Sequence, residues 1–285
     1  MKIVRAEELG FCYGVARAAE MVESLIEENK KIYILGMLIH NPVYLEHIHQ
    51  KGVITVEEED FLNEKVIIPE GSTVVLRAHG ARKQLMDKLS NMDVQKVDTT
   101  CPYVTKSIMV KLREEENKDV IYIGDKNHPE VKAVLSYGKP IPVVQNLEEL
   151  KNGNFDTNKE YSFVIQKTFD NIKFDEIKSY ATKTFKSATF KDDLCGATYE
   201  RQEAISMLAK EVDVVIVIGG NMSSNTQKLY KISKGLNENS YLIGESKEID
   251  KNWFINKKSV GISAGASTPE YLIDEVEEKI RELVI

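Results

Sequence analysis

The sequence predicts an α/β protein built from three similar modules in pseudo-threefold arrangement around a central cavity. Three observations carry that expectation. The only cysteines in 285 residues, Cys12, Cys101 and Cys195, lie 89 and 94 residues apart. Each opens a segment whose apolar residues recur at helical spacing. Each segment is then followed by short, continuously apolar runs of strand length. Such runs alternating with helices belong to parallel or mixed sheets covered by helices.

The elements repeat in the same order. The helix-like segments are "CYGVARAAEMVESLIEENK", "CPYVTKSIMVKLREEENK" and "CGATYERQEAISMLAKEV", and in the first Val15, Ala18, Val22 and Leu25 make one apolar stripe. Next come the strands "KIYILG", "VIYIG" and "VVIVIGG", ending in Gly36, Gly124 and Gly219, which stand 24, 23 and 24 residues beyond their cysteines. Four residues past each glycine is a polar side chain: His40, His128 or Ser223. A second strand with an acidic tail follows in "GVITVEEED", "IPVVQNLEEL" and "SYLIGESKEI". A third, in "VVLRAHG", "SFVIQKT" and "SVGISAGAS", ends in small or polar residues. The repeat divides the chain into modules at 1–100 (Cys12, His40, His79), 101–194 (Cys101, His128, Glu130) and 195–285 (Cys195, Ser223, Ser267, with a C-terminal tail).

Composition narrows the function. Apolar residues at 42% and charged residues at 29% fit a globular protein. A net charge of −7 gives no support to binding nucleic acid through a basic face. The longest apolar runs are strand-sized and far short of a membrane span. The beginning "MKIVRAEELG" has no apolar signal-peptide core, so a cytoplasmic protein is expected. Thiols stay reduced there, and an odd count of cysteines argues against a disulfide framework. The acidic clusters "EEED" and "REEEN" read as solvated faces.

In folds of this class ligands gather at the carboxyl ends of strands and the amino ends of helices. Three like modules about one axis would turn those edges inward and bring the three thiols together. Helix starts favour negative charge, and three clustered thiolates need a cation. An iron–sulfur centre with one iron lacking a protein ligand and a three-cysteine zinc site both meet that need. Cysteines serving only as small buried hydrophobes, in a non-catalytic module that clasps a phosphorylated ligand, are the plainer alternative. Around the edges stand His40, Asn41, His79, His128, Glu130, Gln166, Thr168, Ser223, Ser224, Asn225 and Ser267, whose amides, hydroxyls and imidazoles suit phosphate oxygens. His47 and His49 read instead as surface residues of one helix. Glu130 beside a metal cluster could deliver protons, or it could be an ordinary acid at a helix start. No Walker-type lysine loop is present.

The stretches "GFCYGVARA", "LIHNPVYLEHIHQKGV", "RAHG", "DTTCPYVTK", "GDKNHPEV", "GGNMSSNT" and "SAGASTPE" together resemble the 4-hydroxy-3-methylbut-2-enyl diphosphate reductase family over nearly the whole chain. The resemblance implies three α/β modules around a cavity holding a [4Fe–4S] cluster, one per chain, with Cys12, Cys101 and Cys195 as ligands and one open iron. It implies that His40, His79, Ser223, Ser224, Asn225 and Ser267, helped by His128, bind the diphosphate. It implies that Glu130 protonates the substrate and Thr168 positions its hydroxyl. The family pattern there is Gln-Thr-Thr, whereas this chain reads Gln166-Lys167-Thr168. The implied reaction is a two-electron reductive dehydroxylation to isopentenyl or dimethylallyl diphosphate, the last step of the non-mevalonate isoprenoid pathway. The electrons would come from an external one-electron donor, ferredoxin or flavodoxin.

Overall fold

A computed structural model describes residues 1–28, 30–191 and 194–283. Among them the strands are β1 (Lys2–Arg5), β2 (Ile32–Leu35), β3 (Ile54–Val56), β4 (Thr73–Leu76), β5 (Gln95–Asp98), β6 (Asp119–Ile123), β7 (Val143–Val144), β8 (Glu160–Ile165), β9 (Ser187–Phe190), β10 (Val214–Ile218), β11 (Ser240–Ile243) and β12 (Ser259–Ala264). The helices are α1 (Tyr13–Glu27), α2 (Pro42–Gln50), α3 (Glu58–Leu62), α4 (Lys83–Ser90), α5 (Pro102–Glu114), α6 (Pro129–Leu135), α7 (Leu147–Asn152), α8 (Asn171–Thr184), α9 (Gly196–Glu211), α10 (Ser224–Leu236) and α11 (Glu270–Leu283). The chain forms two compact units: Met1–Arg17 with Ile39–Lys51 and Gly196–Ile285, and Ala18–Leu38 with Gly52–Cys195.

The first unit holds one all-parallel sheet of order β1-β12-β10-β11. Strand β10 reads Val-Val-Ile-Val-Ile and is buried on both sides. Because side chains alternate along a strand, Val214, Ile216 and Ile218 enter one core with Ile273, Val276 and Ile280 of α11. Val215 and Val217 enter the opposite core with Ile205 and Leu208 of α9 and Leu229 of α10. Helices on both faces explain why the strand is apolar throughout rather than alternating.

The second unit holds two parallel sheets, β3-β2-β4-β5 and β7-β6-β8-β9. The same division recurs: Ile121 and Ile123 face a core with Phe174 and Ile177 of α8, while Val120 and Tyr122 face one with Val104 of α5 and Val131 of α6. All three sheets share one order, in which the first strand of a repeat lies between its second and third and a fourth strand flanks the third.

That fourth strand is absent from the repeat read in the sequence. It is β5 in one sheet, β9 in the next and β1 in the last, and each lies at a sheet edge. β5 is mostly exposed and β9 half-buried, so neither carries a strong apolar signal. The span 1–100 therefore includes one strand, β1, that pairs with the third module instead of the first. Lys2, Ile3, Val4 and Arg5 stand in register with Ser259 to Ile262, so the opening strand completes the third module's sheet.

The acidic clusters are not purely solvated. Glu58 of "EEED" is buried and pairs with Arg77 at 2.5 Å and Arg82 at 2.9 Å. In "REEEN", buried Glu114 accepts from the Ser162 hydroxyl at 2.7 Å, and Glu115 pairs at 2.6 Å with Lys111, which is fully buried. Among the described residues no helix is long and apolar enough to cross a membrane.

Candidate active site

Each cysteine directly precedes a helix: α1 begins at Tyr13, α5 at Pro102 and α9 at Gly196. All three thiols are half-buried. Each also follows the fourth strand of the sheet before it, β1, β5 or β9, so each cysteine marks the passage from one repeat to the next.

In the first unit the loops after β10 and β12 and the approach to α2 come together. The Cys12 N–H donates to the Ala266 carbonyl at 3.2 Å. The neighbouring Ser267 hydroxyl donates to the His40 carbonyl at 3.2 Å. Gly220 lies against the same carbonyl, where an added Cβ would come within 2.7 Å of the oxygen, so only glycine fits there. Gly219, at φ +149°, is equally confined, because a Cβ would meet the hydroxyls of Thr226 and Thr268 at 2.7 and 2.8 Å. Ser223 caps α10 by accepting from the Thr226 N–H at 3.2 Å, and Asn41 caps α2 by accepting from the Tyr44 N–H at 3.1 Å. His40, Ser223, Asn225 and Ser267 are buried and Ser224 is half-buried at the first turn of α10.

Asn225 is the telling residue. It is 3% exposed, and neither its amide oxygen nor its amide nitrogen has a hydrogen-bond partner among the described residues. A buried, unpartnered amide is costly unless a ligand completes it. Its place at the start of a thirteen-residue helix suits an anion.

The second unit supplies the other predicted residues. The Cys101 N–H donates to the Ala78 carbonyl at 2.9 Å, beside half-buried His79. The His79 and His128 rings meet edge to face with centroids 5.6 Å apart. His128 Nδ1 accepts from the Glu130 N–H at 3.2 Å, which leaves the ring proton of a neutral imidazole on Nε2. Glu130 is 2% exposed, which removes the reading of it as a solvated helix-start acid. Its Oε1 accepts from the Lys167 N–H at 2.7 Å, and the Tyr122 hydroxyl lies 3.5 Å away. The Lys167 carbonyl in turn accepts from the Cys195 N–H at 3.3 Å. The Gln166 amide donates to Thr168 Oγ1 at 3.0 Å and accepts from the Asp125 N–H at 2.9 Å. His49 is exposed and His47 half-buried against Tyr271, as expected of surface positions on α2.

Two contributors had no role assigned from the sequence. Arg201 on α9 is buried and donates to the carbonyls of Gly10 and Phe11 at 3.0 and 3.4 Å, which holds the loop that ends at Cys12. Lys167 acts through its backbone, and no side-chain pattern announces that. The donor chemistry fits the iron–sulfur group that the resemblance implies. Thiols are the ligands such centres take, helix starts favour anionic ligands, and Cys101 makes no capping bond through its side chain.

Fold and site together define an α/β enzyme of three parallel-sheet modules, with a thiol heading the first helix of each and a polar cradle in the loops beyond the strands. Residues 3–281 match the LytB protein family, and the chain belongs to it. It is 38% identical to the 4-hydroxy-3-methylbut-2-enyl diphosphate reductase of Aquifex aeolicus, over 99% of this chain and 96% of that protein. It is 43% identical to the enzyme of the same name from Fusobacterium nucleatum over 99% of its own length, and spans 34% of that longer protein. A solved (E)-4-hydroxy-3-methyl-but-2-enyl diphosphate reductase, the terminal enzyme of the non-mevalonate pathway, is 37% identical with a TM-score of 0.71, covering 99% of this chain and 100% of that one. The reductase from Plasmodium falciparum is 28% identical with a TM-score of 0.87, covering 100% and 88%. These likenesses carry the three-module α/β fold expected from the repeat.

Proposed function

We propose that this chain is a 4-hydroxy-3-methylbut-2-enyl diphosphate reductase. It converts that substrate to isopentenyl and dimethylallyl diphosphates, the last step of the non-mevalonate isoprenoid pathway. Two electrons and two protons enter the substrate and one water leaves. The observation that carries the reading is the loop after β12, where Ala266 holds the Cys12 backbone and Ser267 holds His40. That adjacency supports a site in which the reacting end and the diphosphate end of a short substrate meet neighbouring residues.

Cys12, Cys101 and Cys195 are the residues that would hold one [4Fe–4S] cluster. When bound, the cluster supplies electrons one at a time, received from an external carrier such as ferredoxin or flavodoxin. His40, Ser223, Ser224, Asn225 and Ser267, with His79 and His128, bind the diphosphate, and that binding energy anchors the end remote from the chemistry. Thr168 orients the substrate hydroxyl, with its own oxygen held by Gln166. Glu130 gives the proton that departs with that hydroxyl as water. The N–H of Lys167 and the ring of His128 fix the carboxyl and its backbone, so the acid is aimed before substrate arrives. The reaction belongs in the cytoplasm, where the ligand thiols stay reduced.

The test is purification without oxygen. The expected protein is brown and holds about four irons and four sulfides per chain. Cys12→Ser, Cys101→Ser and Cys195→Ser are each expected to lose that colour. A colourless protein that holds zinc and works without an electron source would overturn the reading.

A further inference from the structure

The three cysteine-led helices differ on their outward faces. Beyond Tyr13, α1 exposes Glu20 and Glu27, and beyond Tyr199 and Met207, α9 exposes Glu200, Glu203 and Glu211 against one cation, Lys210. Helix α5 instead exposes Tyr103, Lys106, Met109 and Arg113, three or four residues apart and so on one face. Its other face buries Val104, Ser107, Lys111 and Glu114. Met109 is 65% exposed and Tyr103 47%, a large apolar area for a surface helix. The Arg113 guanidinium is exposed and lies 4.0 Å from the Glu114 carboxylate.

We propose that this face of α5 is the docking surface for the electron carrier, a small acidic one-electron protein. The proposal rests on reading the chain as a reductase fed from outside. Charge selects the helix: in a chain of net charge −7, α5 exposes two cations and no carboxylate within its length and is complementary to an acidic partner, whereas α1 and α9 each expose more carboxylates than cations and repel one. Position supports it, since α5 starts at Cys101 and Met109 lies about 12 Å along the axis from that thiol at the usual rise per residue. Lys106 and Arg113 steer the encounter, and Tyr103 and Met109 supply the apolar contact that holds it.

The test compares a protein donor with a small one. Holoenzyme and its Lys106→Glu/Arg113→Glu variant are assayed with reduced flavodoxin and reduced ferredoxin, taking the carrier that drives turnover, and separately with dithionite-reduced methyl viologen. The kcat/KM for the protein carrier is expected to fall about tenfold or more and to lose its salt dependence, while the viologen rate stays within about twofold. Glu203→Lys on α9 is the control and is expected to leave both rates in place. An unchanged rate with the protein carrier overturns the proposal, and so does an equal loss with both donors. Wild-type protein that turns over with viologen but with neither carrier also overturns it. Wild-type protein silent with every donor overturns the reaction class itself.

Discussion

At the scale of one residue, Asn225 carries the stability cost that the proposed diphosphate site imposes. Its amide is buried with both ends unpartnered among the described residues, so the empty protein bears a desolvation penalty that a diphosphate oxygen would relieve. Asn225→Leu removes the penalty together with the contact. The ligand-free variant is expected to be more stable by about 1 kcal/mol, and to bind inorganic pyrophosphate about tenfold more weakly, the worth of one hydrogen bond to a charged group. Thermal unfolding and calorimetric titration measure the two, and a variant that binds as tightly as wild type would remove Asn225 from the cradle. Such residues were legible because residue type and place in the repeat coincide: His40, His128 and Ser223 each stand four residues past a strand-ending glycine. Lys167 was not legible, because its hydrogen bonds to Glu130 and Cys195 are made by backbone groups that any residue but proline supplies in full.

At the scale of elements, one clasp fixes the helices that carry Cys101 and Glu130. Lys111 on α5 is fully buried and donates to Glu115 at 2.6 Å, to the Tyr137 carbonyl at 2.5 Å and to the Lys139 carbonyl at 3.0 Å, just past the end of α6. The same segment reaches the His79 loop, where the Tyr137 hydroxyl donates to the Ala81 carbonyl at 3.1 Å, and Ser136 accepts from the Lys83 N–H at 2.8 Å. Burial pushes the Tyr137 phenol above its usual range, so it stays a donor at neutral pH. Lys111→Met leaves Glu115 as an uncompensated charge and is expected to cost about 3–5 kcal/mol. Adding Glu115→Gln, which keeps an acceptor for the Lys139 N–H, is expected to restore much of that, and chemical denaturation of the single and double variants measures both. No recovery in the double variant would mean that the pair is not what the fold depends on. The cysteine-led helix of each repeat was legible from its apolar spacing, and three strands from their apolar runs, strongest where a central strand is buried on both faces. The edge strands β5 and β9 were not, since one face meets solvent and pairing is through the backbone. Glu58, Glu114 and Glu115 misled for a related reason: an acidic string does not reveal which of its members meets a partner from a distant segment.

At the scale of the whole chain, the repeat closes on itself through the N-terminus, since β1 takes the place in the third sheet that β5 and β9 take in theirs. Arg5 secures the closure, with Nη1 on Glu270, Nη2 on Asp274 and Nε on Glu277 of α11, each at 2.6 Å. Glu277, which also pairs with Arg281, is held below the usual carboxylate range, chiefly by its hydrogen bond from Arg5. A carboxylate depressed in the folded state stabilises above its unfolded pKa, about 4.3 for glutamate, and that stabilisation is lost as pH falls through the folded value. Because Arg5 and its partners are partly exposed, Arg5→Ala is expected to loosen β1 by only about 1 kcal/mol at neutral pH, or about fivefold in hydrogen exchange of the Val4 amide relative to wild type. As pH falls through the folded value of Glu277, the wild-type rate is expected to approach that of the variant, because that carboxylate is then protonated and its charge no longer holds Arg5. A ratio that stays constant across that range would show that β1 is held by Ile3 and its apolar neighbours and by the register with β12, with no contribution from the charges.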